Sequence, residues 1–141
     1  MTHISFLHGA SDRMQATLQW LHRAWNERKP VLIYAPDQDV AQRLDRMLWS
    51  IPALSFLPHC HANSPLASQT PIVLTDTLDT PPQEACLLNL SNELPPTFSR
   101  FETLVEIVST SDDDRLPARE RFKFYRDRGY PIASQDISGG L

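Results

Sequence analysis

Apolar residues recur at two different spacings along this chain, and the alternation between those spacings carries its first structural information. Ile4 and Phe6 fall on one face of His3 to His8 with Leu7 between them, the period of a buried strand. Ser11 and Asp12 offer capping oxygens, and Met14, Leu18, Leu21 and Trp25 then recur at intervals of four, three and four, which predicts a helix to about Arg28. Pro30 stops that helix, and Val31-Leu32-Ile33-Tyr34-Ala35 is the near-continuous apolar run of a central parallel strand covered on both faces. Asp37 caps a second short helix, with Val40, Leu44, Met47 and Leu48 at helical spacing up to Trp49. Ser55-Phe56-Leu57-Pro58 predicts a brief extended segment, and His59 to Pro71, without a period, a long loop. Ile72 to Thr75 and Cys86 to Leu90 predict two core strands, and Pro95-Pro96 opens a turn around Phe98 and Phe101. Thr103 to Val108 predicts another strand, and Asp112 to Arg128 a last helix ended by Gly129 and Pro131. The expected fold class is α/β: three layers, a mainly parallel sheet with helices on both faces, nucleotide-binding-like without a phosphate loop. A single domain over 1–141 is expected, with a loosely held tail from Ser134 to Leu141.

Composition narrows the function classes. A chain of 141 residues can bury a core without disulfide or metal staples. No apolar run approaches the ~18 residues of a membrane span, so no membrane association is expected. The segment MTHISFLHGASDRM has neither a basic leader nor a signal-length apolar core, and a cytoplasmic location is expected. Two cysteines, Cys60 and Cys86, are too few for a disulfide framework and read as reduced thiols. The net charge of −4 argues against a protein that coats nucleic acid with its whole surface. Between Arg115 and Arg128, however, six basic residues stand against Glu120 and Asp127, a local +4 that leaves −8 for the remainder. That asymmetry favours an anionic partner engaging one face.

Several chemistries lack their residues. The four glycines, Gly9, Gly129, Gly139 and Gly140, form no phosphate-cradling loop between a strand and a helix, so no nucleotide cofactor is expected. His59-Cys60-His61 is the one cluster of metal-ligand atoms, and Cys86 is the only other thiol, short of the two spaced pairs of a structural zinc site; no metal is expected. No nucleophile elbow is present, and Asp112-Asp113-Asp114 reads as the acidic first turn of a helix. No catalytic residue is assigned.

The last helix holds the candidate site. At about 100° per residue, Arg115, Arg119, Phe122 and Arg126 share one arc with Lys123 beside it, while Ala118, Phe122, Tyr125 and Gly129 fill the arc expected to face the sheet. Glu120 and Asp127 stand on other arcs, so the arginines are expected to lack intrahelical partners. Guanidinium groups beside an aromatic ring suit a carboxylate that carries an apolar neighbour. Pro117 sits at the third helical position if Asp114 is the cap; an earlier start would put it inside the helix and displace Arg115.

The string from Ala118 through Arg119-Glu120-Arg121-Phe122-Lys123-Phe124-Tyr125-Arg126 to Gly129-Tyr130 resembles the C-terminal segment of the chi family of bacterial DNA polymerase III accessory subunits. Lys29-Pro30-Val31-Leu32-Ile33, Arg43-Leu44-Asp45, Leu48-Trp49 and Ser55-Phe56-Leu57-Pro58-His59 resemble further blocks of that family in the same order, and together they cover most of the chain. The resemblance implies a non-catalytic replisome adaptor with two protein contacts and only indirect contact with DNA. One is the acidic C-terminal tail of single-stranded DNA-binding protein, at Arg115, Arg119, Phe122, Lys123, Arg126 and Gly129, with Arg119 matching the family arginine associated with that contact. The other is the psi subunit, which links chi to the clamp loader, at Trp49, Phe56, Leu57 and Pro58. Two rival readings are a small Rossmann-like enzyme that uses His59 or His61 in the crevice at the strand ends, and direct nucleic-acid binding by the basic helix.

Overall fold

The computed structural model describes residues 1–50 and 57–141. Along the chain run β1 (His3–Ala10), α1 (Arg13–Asn26), β2 (Val31–Tyr34), α2 (Gln38–Ser50), β3 (His59–His61), β4 (Ile72–Thr75), β5 (Cys86–Asn89), β6 (Thr103–Ser109), α3 (Asp112–Asp127) and β7 (Ile132–Asp136). Single 3₁₀ turns occupy Ala67–Gln69 and Phe98–Arg100. The strands form one seven-stranded sheet in the order β3-β4-β2-β5-β6-β1-β7, with every pairing parallel. Parallel strands need crossover connections, and covering both faces of the sheet satisfies that need.

Strand alternation divides the core in two. Val31 and Ile33 of β2 point to the face covered by Leu18 and Leu21 of α1 and Leu44 and Leu48 of α2. Leu32 and Tyr34 point to the opposite face, covered by Ala118 and Tyr125 of α3 and by Phe98 of the second 3₁₀ turn. Asp12 caps α1 as expected, accepting the Gln15 N–H at 3.0 Å. No helix of the described residues is long and apolar enough to cross a membrane.

The structure differs from the sequence reading in two places. His59–His61, expected within a loop, pairs with β4 from His59↔Ile72 to His61↔Leu74; three residues are too few for a period to show. The C-terminal segment, expected to be loose from Ser134, is held by pairing with β1 from Ile4↔Ile132 to His8↔Asp136. Ile137 beyond it is buried and donates its N–H to His8 O at 2.8 Å. Residues 132–136 carry one large apolar side chain, so their place in the sheet rests on backbone pairing that no hydrophobic pattern reports.

Candidate functional site

The inner face of α3 is organised around a buried charge. Glu106, in the middle of β6, is completely buried, and Arg121 is 3% exposed. Arg121 Nε and Nη2 donate to the two Glu106 oxygens at 3.0 and 3.1 Å, a bidentate pair. Tyr125 Oη at 2.7 Å and Asn89 Nδ2 at 3.1 Å donate to the same carboxylate. Burial, with the carboxylate beside it, pushes the Tyr125 phenol well above its ordinary value, which keeps the O–H a donor. Arg121 is therefore not part of a surface patch, although the sequence reading counted it there. An acid in the middle of a core strand was the available signal, since such a group requires a cation or several donors.

The start of α3 lies earlier than an Asp114 cap would place it. Ser111 is the N-cap, so Pro117 falls at the sixth helical position. The Asp113 carbonyl, which loses its intrahelical donor to the proline, faces Asn92 Nδ2 at 3.4 Å. The helix continues, and Arg115 keeps its place on the shared arc. At the other end Arg128 and Gly129 close a Schellman turn: Gly129 N–H bonds Arg126 O at 3.0 Å and Tyr130 N–H bonds Tyr125 O at 3.1 Å. Gly129 adopts φ +82, which explains a glycine there by conformation.

Between α3 and the strands β1, β6 and β7 lies a groove of about 590 Å³, which brings together Arg115, Arg119, Phe122, Lys123 and Arg126. Gly129 does not line it. Phe122 is half-buried, its ring edge-on to Phe6 at 5.2 Å, so one apolar surface floors a basic rim. The rim is less free than the helical wheel indicates. Arg115 pairs with Asp112 one turn earlier, and Arg126 with Asp127 at 3.3 Å, which corrects the expectation that these arginines lack partners within the helix. Both pairs are solvent-exposed, and exposed pairs contribute about 0–1 kcal/mol, so an incoming carboxylate can compete for them. Arg119 and Lys123 are exposed and make no ion pair among the described residues. Arg128 sits over the Phe124 ring at 4.7 Å.

The second candidate patch is only partly assembled. Trp49, at the end of α2, is 60% exposed and rests on the His59 ring at 4.6 Å. Pro58 is exposed, Leu57 is a buried core residue that presents nothing to a partner, and Phe56 lies outside the described residues. His59 Nδ1 donates to Leu57 O at 2.7 Å. Alternation on β3 sends Cys60 to the opposite side from His59 and His61, so the thiol and the two imidazoles do not converge on one point. Burial pushes the Cys86 thiol up to about 11, making it a protonated core group rather than a nucleophile.

The crevice beyond the carboxyl ends of the central strands, about 810 Å³, is where a nucleotide would sit in this architecture. Arg13 fills its base, donating to Asn89 O at 3.2 Å, Ser91 O at 2.8 Å and Asn92 Oδ1 at 2.8 Å. Asp12, Asp37, Glu93 and Asp114 line it against Arg13 and Arg43, an electrostatic balance unfavourable to a polyphosphate. His59 and His61 are not among its lining residues, contrary to the enzyme reading that enlisted them.

Residues 1–133 match the family described as "DNA polymerase III chi subunit, HolC". The chain is 32% identical to DNA polymerase III subunit chi of Pseudomonas aeruginosa over 124 residues, covering 86% of this chain and 84% of that protein. It is 32% identical to the subunit chi of Escherichia coli over 125 residues, 88% and 85% of the two chains. The Haemophilus influenzae subunit chi is 28% identical over 114 residues, 80% and 79%. On a family match over residues 1–133 and relatives 32% identical across most of both chains, the chain belongs to the DNA polymerase III chi subunit family.

Proposed function

We propose that this chi-family protein is a non-catalytic adaptor of the replicative polymerase, cytoplasmic and without an active site of its own. Its α3 groove captures the acidic C-terminal tail of single-stranded DNA-binding protein. The observation that carries the reading is the pair of exposed cations Arg119 and Lys123, unpaired among the described residues, beside the half-buried ring of Phe122. Arg119 presents a planar fork to a terminal or aspartate carboxylate, Lys123 adds charge, and Phe122 offers an apolar contact for the residue next to that carboxylate. Gly129 serves the helix end instead of the pocket. Direct nucleic-acid binding is disfavoured by the same geometry, because Arg121 is inside the fold and Arg115 and Arg126 already have carboxylate neighbours. A few charge-assisted bonds and one buried ring, less the cost of ordering a disordered tail, give about micromolar affinity, roughly 8 kcal/mol. Calorimetric titration of the full chain with a ten-residue acidic peptide ending in phenylalanine tests this. Binding that weakens with added salt and with amidation of the peptide's carboxylate is expected. No heat at a peptide concentration of about 100 μM would overturn the reading.

The exposed Trp49, its ring packed on that of His59, supports a second contact, with the psi subunit that joins chi to the clamp loader. A large exposed aromatic ring seated on a rigid support fits an interface anchor. Trp49→Ala is expected to leave the unfolding midpoint unchanged and to abolish co-elution with psi in size-exclusion chromatography. Retained co-elution would remove Trp49 from that interface.

A further inference from the structure

The groove has a neighbour that the site as described leaves unused. β7 is the last strand of the sheet, and one side of it pairs with nothing among the described residues. Ile4 N–H bonds Pro131 O at 2.9 Å and Ile137 N–H bonds His8 O at 2.8 Å, and these two bonds set the phase of the β1–β7 ladder. In a parallel ladder of that phase, Ala133 and Gln135 direct their N–H and C=O groups toward β1. Ile132, Ser134 and Asp136 direct theirs outward. An exposed sheet edge is usually blunted by shortness, by lysine or proline, or by a bulge. The opposite edge, β3, is three residues long. β7 has five residues, IASQD, with no lysine, no proline and no register shift against β1. Its one charge, Asp136, stands at its far end with the carboxylate engaged by the Ser138 N–H at 2.8 Å. Ser134 also lines the groove that holds Arg119, Phe122 and Lys123. One residue therefore belongs both to the anion-binding groove and to an open row of backbone donors and acceptors.

We propose that β7 is a strand-addition site: the extended segment immediately preceding the groove-bound acidic terminus of a peptide pairs with the outer edge of β7 through the outward N–H and C=O of Ser134 and its alternate neighbours. The occupant is an extended acidic peptide because the cations of Arg119 and Lys123 select a negatively charged segment and Ser134 makes the edge continuous with them. The edge reads backbone only, so it tolerates variation in the upstream side chains and strengthens capture without adding specificity. The inference rests on the groove reading above and adds the path of the rest of the peptide.

The test uses the full chain and two acidic peptides ending in phenylalanine, one of ten residues and one cut to the last four. The longer peptide is expected to bind about tenfold more tightly, the scale of two or so net backbone hydrogen bonds. Single N-methylation of its upstream amides is expected to weaken binding at alternate positions and to leave the intervening ones unaffected, the signature of a strand. Ser134→Pro removes an outward N–H while sparing the β1 ladder, a substitution edge strands accept. It is expected to close the gap in affinity between the two peptides, the shorter one reporting separately any change in the groove that Ser134 lines. Equal affinity of the two peptides, or N-methylation effects without a two-residue period, overturns strand addition and leaves the groove reading standing. A dimer of the free chain that Ser134→Pro abolishes while both peptides bind as before assigns the edge to a second copy and also overturns it. Failure of both peptides to bind removes the groove reading and the edge proposal together. The methylated peptides are read on the unaltered protein, so the test survives even if the proline variant does not fold.

Discussion

Arg119→Ala is expected to weaken binding of an acidic peptide ending in phenylalanine by about tenfold to a hundredfold, or about 1.5 to 3 kcal/mol, the scale for a charged hydrogen-bonding partner. The size of the effect follows from what surrounds the side chain. Arg119 has no carboxylate partner among the described residues, so a bound anion gains the interaction without first displacing one of them. Arg126 lies on the same groove but already pairs with Asp127, and Arg126→Ala is expected to cost threefold or less, about the worth of an exposed pair. Arg119→Lys keeps the charge and loses the planar fork, and should fall between the two. Calorimetry with one peptide against all three variants decides the order. Equal losses at Arg119 and Arg126 would mean that the groove acts as a diffuse field, and no loss at Arg119 would remove it from the site.

The largest stability effect is expected away from the surface. Arg121→Met leaves the Glu106 carboxylate buried without its cation and is expected to destabilise the fold by about 3 to 5 kcal/mol. The paired change Glu106→Leu with Arg121→Met removes both charges and should recover much of that loss. Recovery stays incomplete, because the Tyr125 O–H and the Asn89 amide each lose an acceptor at a cost of about 1 to 3 kcal/mol. Urea unfolding of the three variants measures the coupling. A single-variant loss under about 1 kcal/mol would show that the pair contributes little, as exposed pairs do. The pair also bears on the site. It anchors α3 to β6 at Arg121 while Arg119, Phe122 and Lys123 line the groove, so the groove depends on a helix whose rotation is set from within.

Much of the fold was legible because it follows from spacing and from turn chemistry. Met14, Leu18 and Leu21 had to share a helix face, Val31 to Tyr34 had to be covered on both sides, and Asp12 could cap only the helix that begins at Arg13. The basic arc of α3 was legible for the same reason, since positions three and four apart meet on any helix. The edge strands β3 and β7 were not legible. Their side chains carry too little hydrophobic period, and their positions are set by hydrogen bonds to β4 and β1, partners distant in sequence. Leu57 shows the same limit in a site: its membership of an apolar block marks it as a contact residue or a core residue, and only packing chose the core.

By itself, then, the sequence determined the α/β class, the three helices, the five core strands and the presence of a cationic helix beside an aromatic ring, because these are local periodicities that no distant contact has to complete. The tertiary structure decided which cations are available. Glu106 draws Arg121 inward, Asp112 and Asp127 take Arg115 and Arg126, and Arg119 and Lys123 are left without a partner among the described residues at a groove that Ser134 also lines. The physical reason is that a charge's availability depends on the acids folding brings within a few ångströms of it. For Arg121 that acid comes from a strand fifteen residues earlier in the chain.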